Sequence, residues 1–118
     1  MDYGAVKGLS ADMIHLQVKT SLGPYIFKWV DFKNAFPLSS TQTALVFDYV
    51  NINPKQCNAW IIFTHGANKG SDIIYDFYRF VERDFMKTNN PVTIADVPNS
   101  KYFNAEISAC NIKTPGDF

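Results

Sequence analysis

The stretch NAWIIFTHGANKGSDIIYDFYRFVERDFMK, residues 58–87, contains the change of hydrophobic period that decides the fold. As far as His65 it is an apolar run rich in Ile and aromatic residues, which is typical of a strand. Ser71 is the expected N-cap of a helix that TNNP ends after Lys87. In that helix one apolar stripe is formed by Ile74, Phe77, Tyr78, Val81 and Phe85. The stretch therefore predicts a strand, a short loop and one long amphipathic helix.

Upstream, the sequence predicts two consecutive hairpins. Residues 13–19 alternate between apolar and polar side chains, SLGP at 21–24 has the composition of a turn, and 25–32 is an aromatic return strand. Residues 43–52 and 58–65 form the second predicted pair, around the turn NPKQ. Consecutive hairpins predict a mostly antiparallel meander.

The remaining segments give one more strand. Residues 34–43, with Pro37 and a Ser/Thr run, and residues 92–101 are predicted to be irregular, and the tail from 111 has no clear element. Residues 102–109 alternate again, with one face made of Phe103, Ala105, Ile107 and Ala109. The whole chain, 1–118, is predicted to be a single α+β domain. Its curved, mostly antiparallel sheet of about five strands, two hairpins plus a late strand, packs on the helix.

Charge and hydropathy narrow the classes of partner. Eleven basic residues balance eleven acidic ones, so the formal net charge is zero. A nucleic-acid-binding domain usually shows a basic excess or stripe, so we expect no nucleic-acid partner. No apolar run approaches the ~20 residues of a membrane span, so we expect no membrane insertion of this segment; its location and oligomeric state stay open.

The cysteines and histidines do not predict a metal site. Cys57, Cys110, His15 and His65 lack the paired spacing of zinc ligands, so neither a metal nor a cofactor is expected. Two buried, ordinary thiols are the favoured interpretation, although a disulfide between them is also open. The two histidines are interpreted as partly exposed residues of strands.

The loop from His65 to Ser71 allows two catalytic interpretations, and both fail. His-Gly after a strand resembles the oxyanion loop of α/β-hydrolases, but the chain has no G-x-S-x-G nucleophile elbow. A phosphate-binding loop places its Lys after the second Gly, whereas here Lys69 precedes Gly70. We therefore predict a plain strand-to-helix connection, with anion binding at the helix start as a minor alternative.

The aromatic residues are the remaining functional signal. Tyr, Phe and Trp make up 15% of the chain, and one helix covers only one face of a sheet, so some rings are expected to be exposed. Tyr25 and Trp29 share a strand face, and Tyr49 and Trp60 lie on strands that could flank it. These four are the predicted partner-binding residues, with core packing as the alternative for each ring.

Two motifs resemble a known family. The segment YIFKWVDFKNAF, through Phe27, Trp29, Asp31 and Phe32, and the helix DIIYDFYRFVERDFM resemble the pleckstrin-homology-like modules of bacteria over residues 12–88. There, a strand of this form is followed by a meander and a capping helix. The aromatic helix with a proline-bearing loop after it is similar to soluble portions of proteobacterial membrane proteins encoded near type VI secretion effectors, some of which act as immunity proteins. No basic pocket is visible, so the resemblance does not imply lipid binding.

Together these features predict a non-catalytic protein-binding domain. The resemblance implies an immunity or inhibitor protein that binds and neutralises a bacterial toxin. An interaction or scaffold module from a larger, membrane-anchored protein is the alternative. A small hydrolase or nuclease is the least favoured class, because the residues supply no catalytic set.

Overall fold

The structure is a computed structural model that describes residues 14–52, 55–85 and 91–114. The strands in these residues are β1 (His15–Thr20), β2 (Gly23–Lys28), β3 (Phe32–Ser39), β4 (Gln42–Ile52), β5 (Lys55–His65), β6 (Val92–Asp96), β7 (Lys101–Tyr102) and β8 (Ile107–Lys113). The helix α1 spans Gly70–Phe85. Single turns of 3-10 helix lie at Trp29–Asp31 and Val97–Asn99.

The strands form two four-stranded sheets. The mixed sheet has the order β2-β1-β6-β7, in which β1 and β6 are parallel. The antiparallel sheet has the order β3-β4-β5-β8. The predicted α+β class with one long helix is confirmed, and both predicted hairpins are present, as β1–β2 and β4–β5. The expected single sheet of about five strands is wrong, because the described residues form eight strands in two sheets.

The chain moves from one sheet to the other at Trp29–Asp31. The single strand predicted over 25–32 is divided there into β2 and the first residue of β3. The Trp29 N–H donates to the carbonyl of Ile14 at 2.9 Å, beside the start of β1, whereas Phe32 pairs with Phe47 on β4. The 3-10 turn therefore lets one aromatic run belong to both sheets.

The loop predicted over 34–43 is also wrong. Strand β3 continues through Pro37 to Ser39, and β4 begins at Gln42. Proline cannot donate to a ladder and is tolerated where a strand has a neighbour on one side only. Strand β3 is such an edge strand, and its register shifts between Pro37 and Ser39.

Residues 92–101, predicted to be irregular, contain β6 and β7. Strand β6 lies beside β1 in parallel register, with Leu16 opposite Val92. Val92 and Ile94 are buried. The pairing joins residues more than seventy positions apart, so no local sequence pattern predicts this strand.

The last strand begins and ends later than predicted. Phe103 follows β7 and belongs to a turn, in which the Asn104 side-chain oxygen accepts a hydrogen bond from the Glu106 N–H at 2.7 Å. Strand β8 then runs through Lys113 into the tail that the sequence left without structure. Of the predicted strand 102–109, only its last three residues lie in β8.

The core lies between the two sheets and under the helix. The helix buries Ile73, Phe77 and Val81 fully, and Tyr78 partly. The predicted stripe is confirmed at Phe77 and Val81, but its first residue is Ile73 rather than Ile74, which is only half-buried. The side chain of Phe85 lies outside the described part of the chain.

Candidate functional site

The connection between β5 and α1 is built around the buried ring of His65. Its Nδ1 lies 2.8 Å from the Gly66 carbonyl oxygen, and its Nε2 lies 2.8 Å from Thr43 Oγ1. A carbonyl oxygen only accepts, so Nδ1–H donates to the Gly66 carbonyl, and Nε2 shares a hydrogen bond with the Thr43 hydroxyl. The expected partial exposure of His65 is wrong, since the residue is 4% exposed. Both ring nitrogens are used within the fold.

Backbone hydrogen bonds tie the same connection to the turn between β3 and β4. The His65 N–H donates to the Thr41 carbonyl at 2.8 Å, and the Asn68 N–H donates to the Ser40 carbonyl at 2.7 Å. Asn68 adopts a left-handed conformation with φ of 62°, which Asn tolerates better than most residues. The helix then begins at Gly70, one residue before the predicted cap Ser71, and the Ile73 N–H donates to the Lys69 carbonyl.

The three predicted partner-binding rings that the structure describes lie in three different places. Trp29 is 8% exposed, stacked on Phe32 at 4.9 Å between ring centroids, and belongs to the core. Tyr25 is half-buried beside the space between the two sheets. Trp60 is half-buried on the outer face of the antiparallel sheet. The side chain of Tyr49 lies outside the described part of the chain.

The outer face of the antiparallel sheet is unusually apolar. Leu45 and Ile61 point into the core, so the alternate residues of β4 and β5 point outward. We call the following set the outer apolar face: Phe36, Leu38, Ala44, Val46, Trp60 and Ile62. The Trp60 ring meets the Phe36 ring edge-on at 5.4 Å, and Leu38 beside them is 41% exposed. Ala44, Val46 and Ile62 are buried, so the accessible part of this face consists of Phe36, Leu38 and Trp60.

The outer side of the mixed sheet is mostly polar, in contrast to that of the antiparallel sheet. Gln17 donates from Nε2 to Thr93 Oγ1 at 3.0 Å across β1 and β6. Lys19 and Lys28 are exposed on the same side, and Ile26 is the apolar residue among them. A sheet in contact with water on one side commonly has such a polar face. The two sheets therefore differ, and the outer apolar face is the exception.

Two grooves lie on either side of β8. The inter-sheet groove, of about 470 Å³, has apolar walls that include Val18, Tyr25, Val97 and Ile112. The outer groove, of about 690 Å³, crosses the outer apolar face at Leu38, Trp60 and Ile62 and reaches Asn111. Cys110 borders both grooves. Strand β8 is thus the shared wall of the two.

Cys110 is a free thiol, and burial raises its pKa to about 12. It pairs with Phe63 on β5, whereas Cys57 lies six residues away along β5, opposite Val50. At ~3.3 Å per residue the two cysteines are about 20 Å apart, while a disulfide needs Cα atoms within about 7 Å. The open question of a disulfide is therefore decided against the bond.

Across 14–52, 55–85 and 91–114, no three His, Cys, Asp or Glu side chains come together in a way that could hold a metal ion. Within the same ranges, no helix has both the length and the apolar character needed to cross a bilayer.

Comparison with family models, with curated proteins and with solved structures gave no match to this chain.

Proposed function

We propose that this chain is a non-catalytic protein-binding domain that binds its partner through the outer apolar face of the antiparallel sheet. The observation that carries the proposal is the contrast between the two outer faces. The mixed sheet is polar outside, whereas the antiparallel sheet exposes Leu38 and leaves the rings of Phe36 and Trp60 half-buried. Contiguous apolar surface with half-exposed aromatic rings is typical of protein interfaces.

The composition of this face supports a protein partner over a nucleic acid. Lys33 and Asp48 form an ion pair at 3.9 Å near one end of β3, and Lys113 on β8 lies opposite Trp60 at the border of the outer groove. Phosphate contacts require cationic side chains, and the chain has no net positive charge to supply them. Apolar burial is left as the main source of affinity.

The geometry at His65 supports a non-catalytic role. A general base needs a ring nitrogen that can reach a substrate proton. Here both nitrogens have partners inside the fold, and the ring is buried. Replacing the exposed neighbour Lys69 with Ala is accordingly expected to leave the biological activity within a few-fold of wild type, provided that the loop lies outside the partner interface.

The more specific form of the proposal is that the partner is a bacterial toxin and that binding neutralises it. Its support is the resemblance of the segment around Trp29 and of the helix to pleckstrin-homology-like modules of immunity-type proteins. Stoichiometric inhibition requires only a stable complementary surface. The outer apolar face supplies such a surface without any catalytic group.

The test is capture of a partner from the native host, followed by titration calorimetry with the captured protein. We expect a stoichiometry near one to one and a negative heat-capacity change from apolar burial. Leu38→Glu places a charge in the outer apolar face and should weaken binding by ~2 kcal/mol or more, as should Trp60→Ala. Val30→Glu is the matched control, because Val30 is 53% exposed but lies outside this face.

The melting temperature of each variant distinguishes interface residues from core residues. Leu38→Glu should melt near wild type, whereas Trp29→Ala should unfold the domain because that ring is in the core. Equal binding by Leu38→Glu, Val30→Glu and wild type would exclude this face. Saturable binding of a nucleotide or a lipid, with no protein captured, would overturn the proposal as a whole.

A further inference from the structure

The four sheet edges of this fold are not equally protected. Edge strands expose unpaired backbone groups, and proteins usually blunt them with Pro, Lys, bulges or shortness. Strand β3 has Pro37, the exposed Lys33 and two register shifts. Strand β2 has Pro24, and β7 is two residues long.

Strand β8 has Lys113 at its end and a register shift between Ile107 and Ala109, but the stretch from Ala109 to Ile112 contains neither a Lys nor a register shift. The strand is seven residues long, contains no Pro, and keeps continuous register from Ala109 to Lys113 against β5. Within the described part of the chain it has a strand neighbour on one side only. Alternate residues of an edge strand direct their N–H and C=O groups away from the sheet, so the stretch from Ala109 to Ile112 presents donors and acceptors on the side away from β5.

The inter-sheet groove gives this edge a pocket for side chains as well as backbone groups. A strand added beside β8 would point alternate side chains to opposite faces of the sheet. One set would enter the inter-sheet groove, next to Val97 and Ile112, and the other would continue the outer side of the antiparallel sheet beyond Asn111. Main-chain hydrogen bonds and pockets for alternate side chains are the two components of recognition by strand addition.

We propose that β8 binds an extended segment of a partner protein as an additional strand, with aliphatic residues at every second position directed into the inter-sheet groove. This inference rests on the proposed protein-binding function and specifies how the partner is held. The groove walls at Val18, Tyr25, Val97 and Ile112 select medium-sized aliphatic side chains.

A second copy of this chain fits the same edge less well. In a β8–β8 pair, the side chains available for the inter-sheet groove would be Cys110 and Ile112 of the other copy. Both already pack against the core of their own chain. A partner segment whose side chains are not committed elsewhere is needed to fill the space.

The test uses the full chain and two displayed libraries of ten-residue linear peptides. One library has aliphatic residues at every second position, and the other has the same composition with helical spacing. We expect enrichment from the alternating library only. An N-methyl scan of an enriched peptide, measured by fluorescence anisotropy, should weaken binding at least tenfold at alternate positions and little at the others, because only alternate N–H groups face β8.

Ala109→Lys and Ala105→Lys form the matched pair of variants. Both alanines are exposed, but Ala109 borders the outer groove on β8 whereas Ala105 precedes the strand. Ala109→Lys should reduce peptide affinity at least tenfold with an unchanged melting temperature, and Ala105→Lys should leave it unchanged. Enrichment of helically spaced peptides, or an N-methyl scan without alternation, would overturn strand addition.

Two other results would also overturn strand addition. Neither of them decides the proposed protein-binding function, which has its own test. A captured partner that binds one to one, is sensitive to Leu38→Glu and indifferent to Ala109→Lys, would keep the outer apolar face and remove strand addition. A dimer in sedimentation analysis that Ala109→Lys abolishes would assign the edge to a second copy. Absence of any captured protein counts against the proposed function, whereas the peptide libraries test β8 without needing the native partner.

Discussion

At the scale of single residues, identical side-chain types have opposite roles in this fold. In the sequence, Trp29 and Trp60 both lie in segments that are predicted to be strands. Trp29 stacks on Phe32 and lies 5.8 Å from the Phe77 ring in the core, whereas Trp60 covers the outer apolar face. Which ring is available to a partner therefore depends on the face of the sheet that each strand position occupies.

Phe77 is the residue whose loss should cost the most stability. It is fully buried and its ring lies within 5.8 Å of the rings of Trp29, Phe32 and Phe103. Phe77→Ala should lower the free energy of unfolding by ~3–5 kcal/mol, because it removes a large side chain and leaves a cavity. Urea denaturation followed by circular dichroism measures the change.

Arg79→Ala is the control for that substitution. Arg79 is exposed on the same helix, with its guanidinium 5.4 Å from the centre of the Tyr75 ring. An exposed cation–π contact contributes about 0.5–1 kcal/mol, so Arg79→Ala should be nearly silent. Small and equal effects of the two substitutions would contradict the amphipathic assignment of α1.

Cys110 should be a slow nucleophile in the folded protein. Its pKa of about 12, against 9.0 for an unperturbed thiol, lowers the thiolate fraction at pH 8 by roughly 10³-fold, and the thiolate is the reactive form. In a Cys57→Ser background, alkylation of Cys110 should be about a thousandfold slower in the native protein than in urea, as followed by mass spectrometry.

The pH dependence follows from the same shift. The folded state holds the thiol proton more tightly than the unfolded state, so the stabilisation is complete below pH 9 and is lost as the pH rises toward 12. The native alkylation rate should rise about tenfold per pH unit over this range. A native rate that levels off near pH 9 would show that burial does not hold the thiol neutral.

At the scale of elements, the start of α1 is fixed by its contact with the β3–β4 hairpin. Gly70 is buried there, and a Cβ at this position would lie 3.1 Å from Thr43 Oγ1 and 3.2 Å from Pro37 Cβ. The glycine therefore permits the close approach that places Ile73 and Phe77 over the core. Helix position and hairpin position are set together.

Gly70→Ala should accordingly destabilise the protein, although Gly→Ala in a helix is ordinarily favourable by ~0.5–1 kcal/mol. Overpacking costs about 1–3 kcal/mol, so we expect a net loss near 1–2 kcal/mol in urea denaturation. Gly66→Ala is the matched control. Its Cβ would meet the flexible Glu106 carboxylate at 3.1 Å, which can move into solvent, so little change is expected. A gain in stability for Gly70→Ala would show that the helix start can shift freely.

At the scale of the whole molecule, the parallel pairing of β1 with β6 closes the fold. It joins β1, which precedes the helix, to β6, which follows it. In the other sheet, β5 and β8 likewise pair a strand before the helix with one after it. The core residues of both sheets and the helix form one cluster. Folding should therefore be cooperative across the chain, as the predicted single domain requires.

Coincident unfolding transitions are the expected result. In a Trp60→Phe background, Trp29 fluorescence reports the core and far-ultraviolet circular dichroism reports the whole backbone. The two urea transitions should share one midpoint and one slope. Ile94→Ala, in the fully buried centre of β6, should move both midpoints together by the same amount. Two separated midpoints would divide the chain into independent units.

The sequence by itself determined the elements whose hydrophobic period is local. Alternation identified β1, the run before His65 identified β5, and helical spacing identified α1 with Phe77 and Val81 on its buried side. The high aromatic content of the sequence also predicted that some rings are exposed. These properties follow from the backbone period of a few neighbouring residues, so a short window contains them.

The tertiary structure alone decided which strands are neighbours and which rings are covered. Residues 92–96 become a strand because β1 lies beside them, and Pro37 is accepted in β3 because that strand is at an edge. The 3-10 turn at Trp29–Asp31 sends that ring into the core. Each of these depends on hydrogen bonds and contacts between residues far apart in the chain, where local periodicity carries no information about the partner.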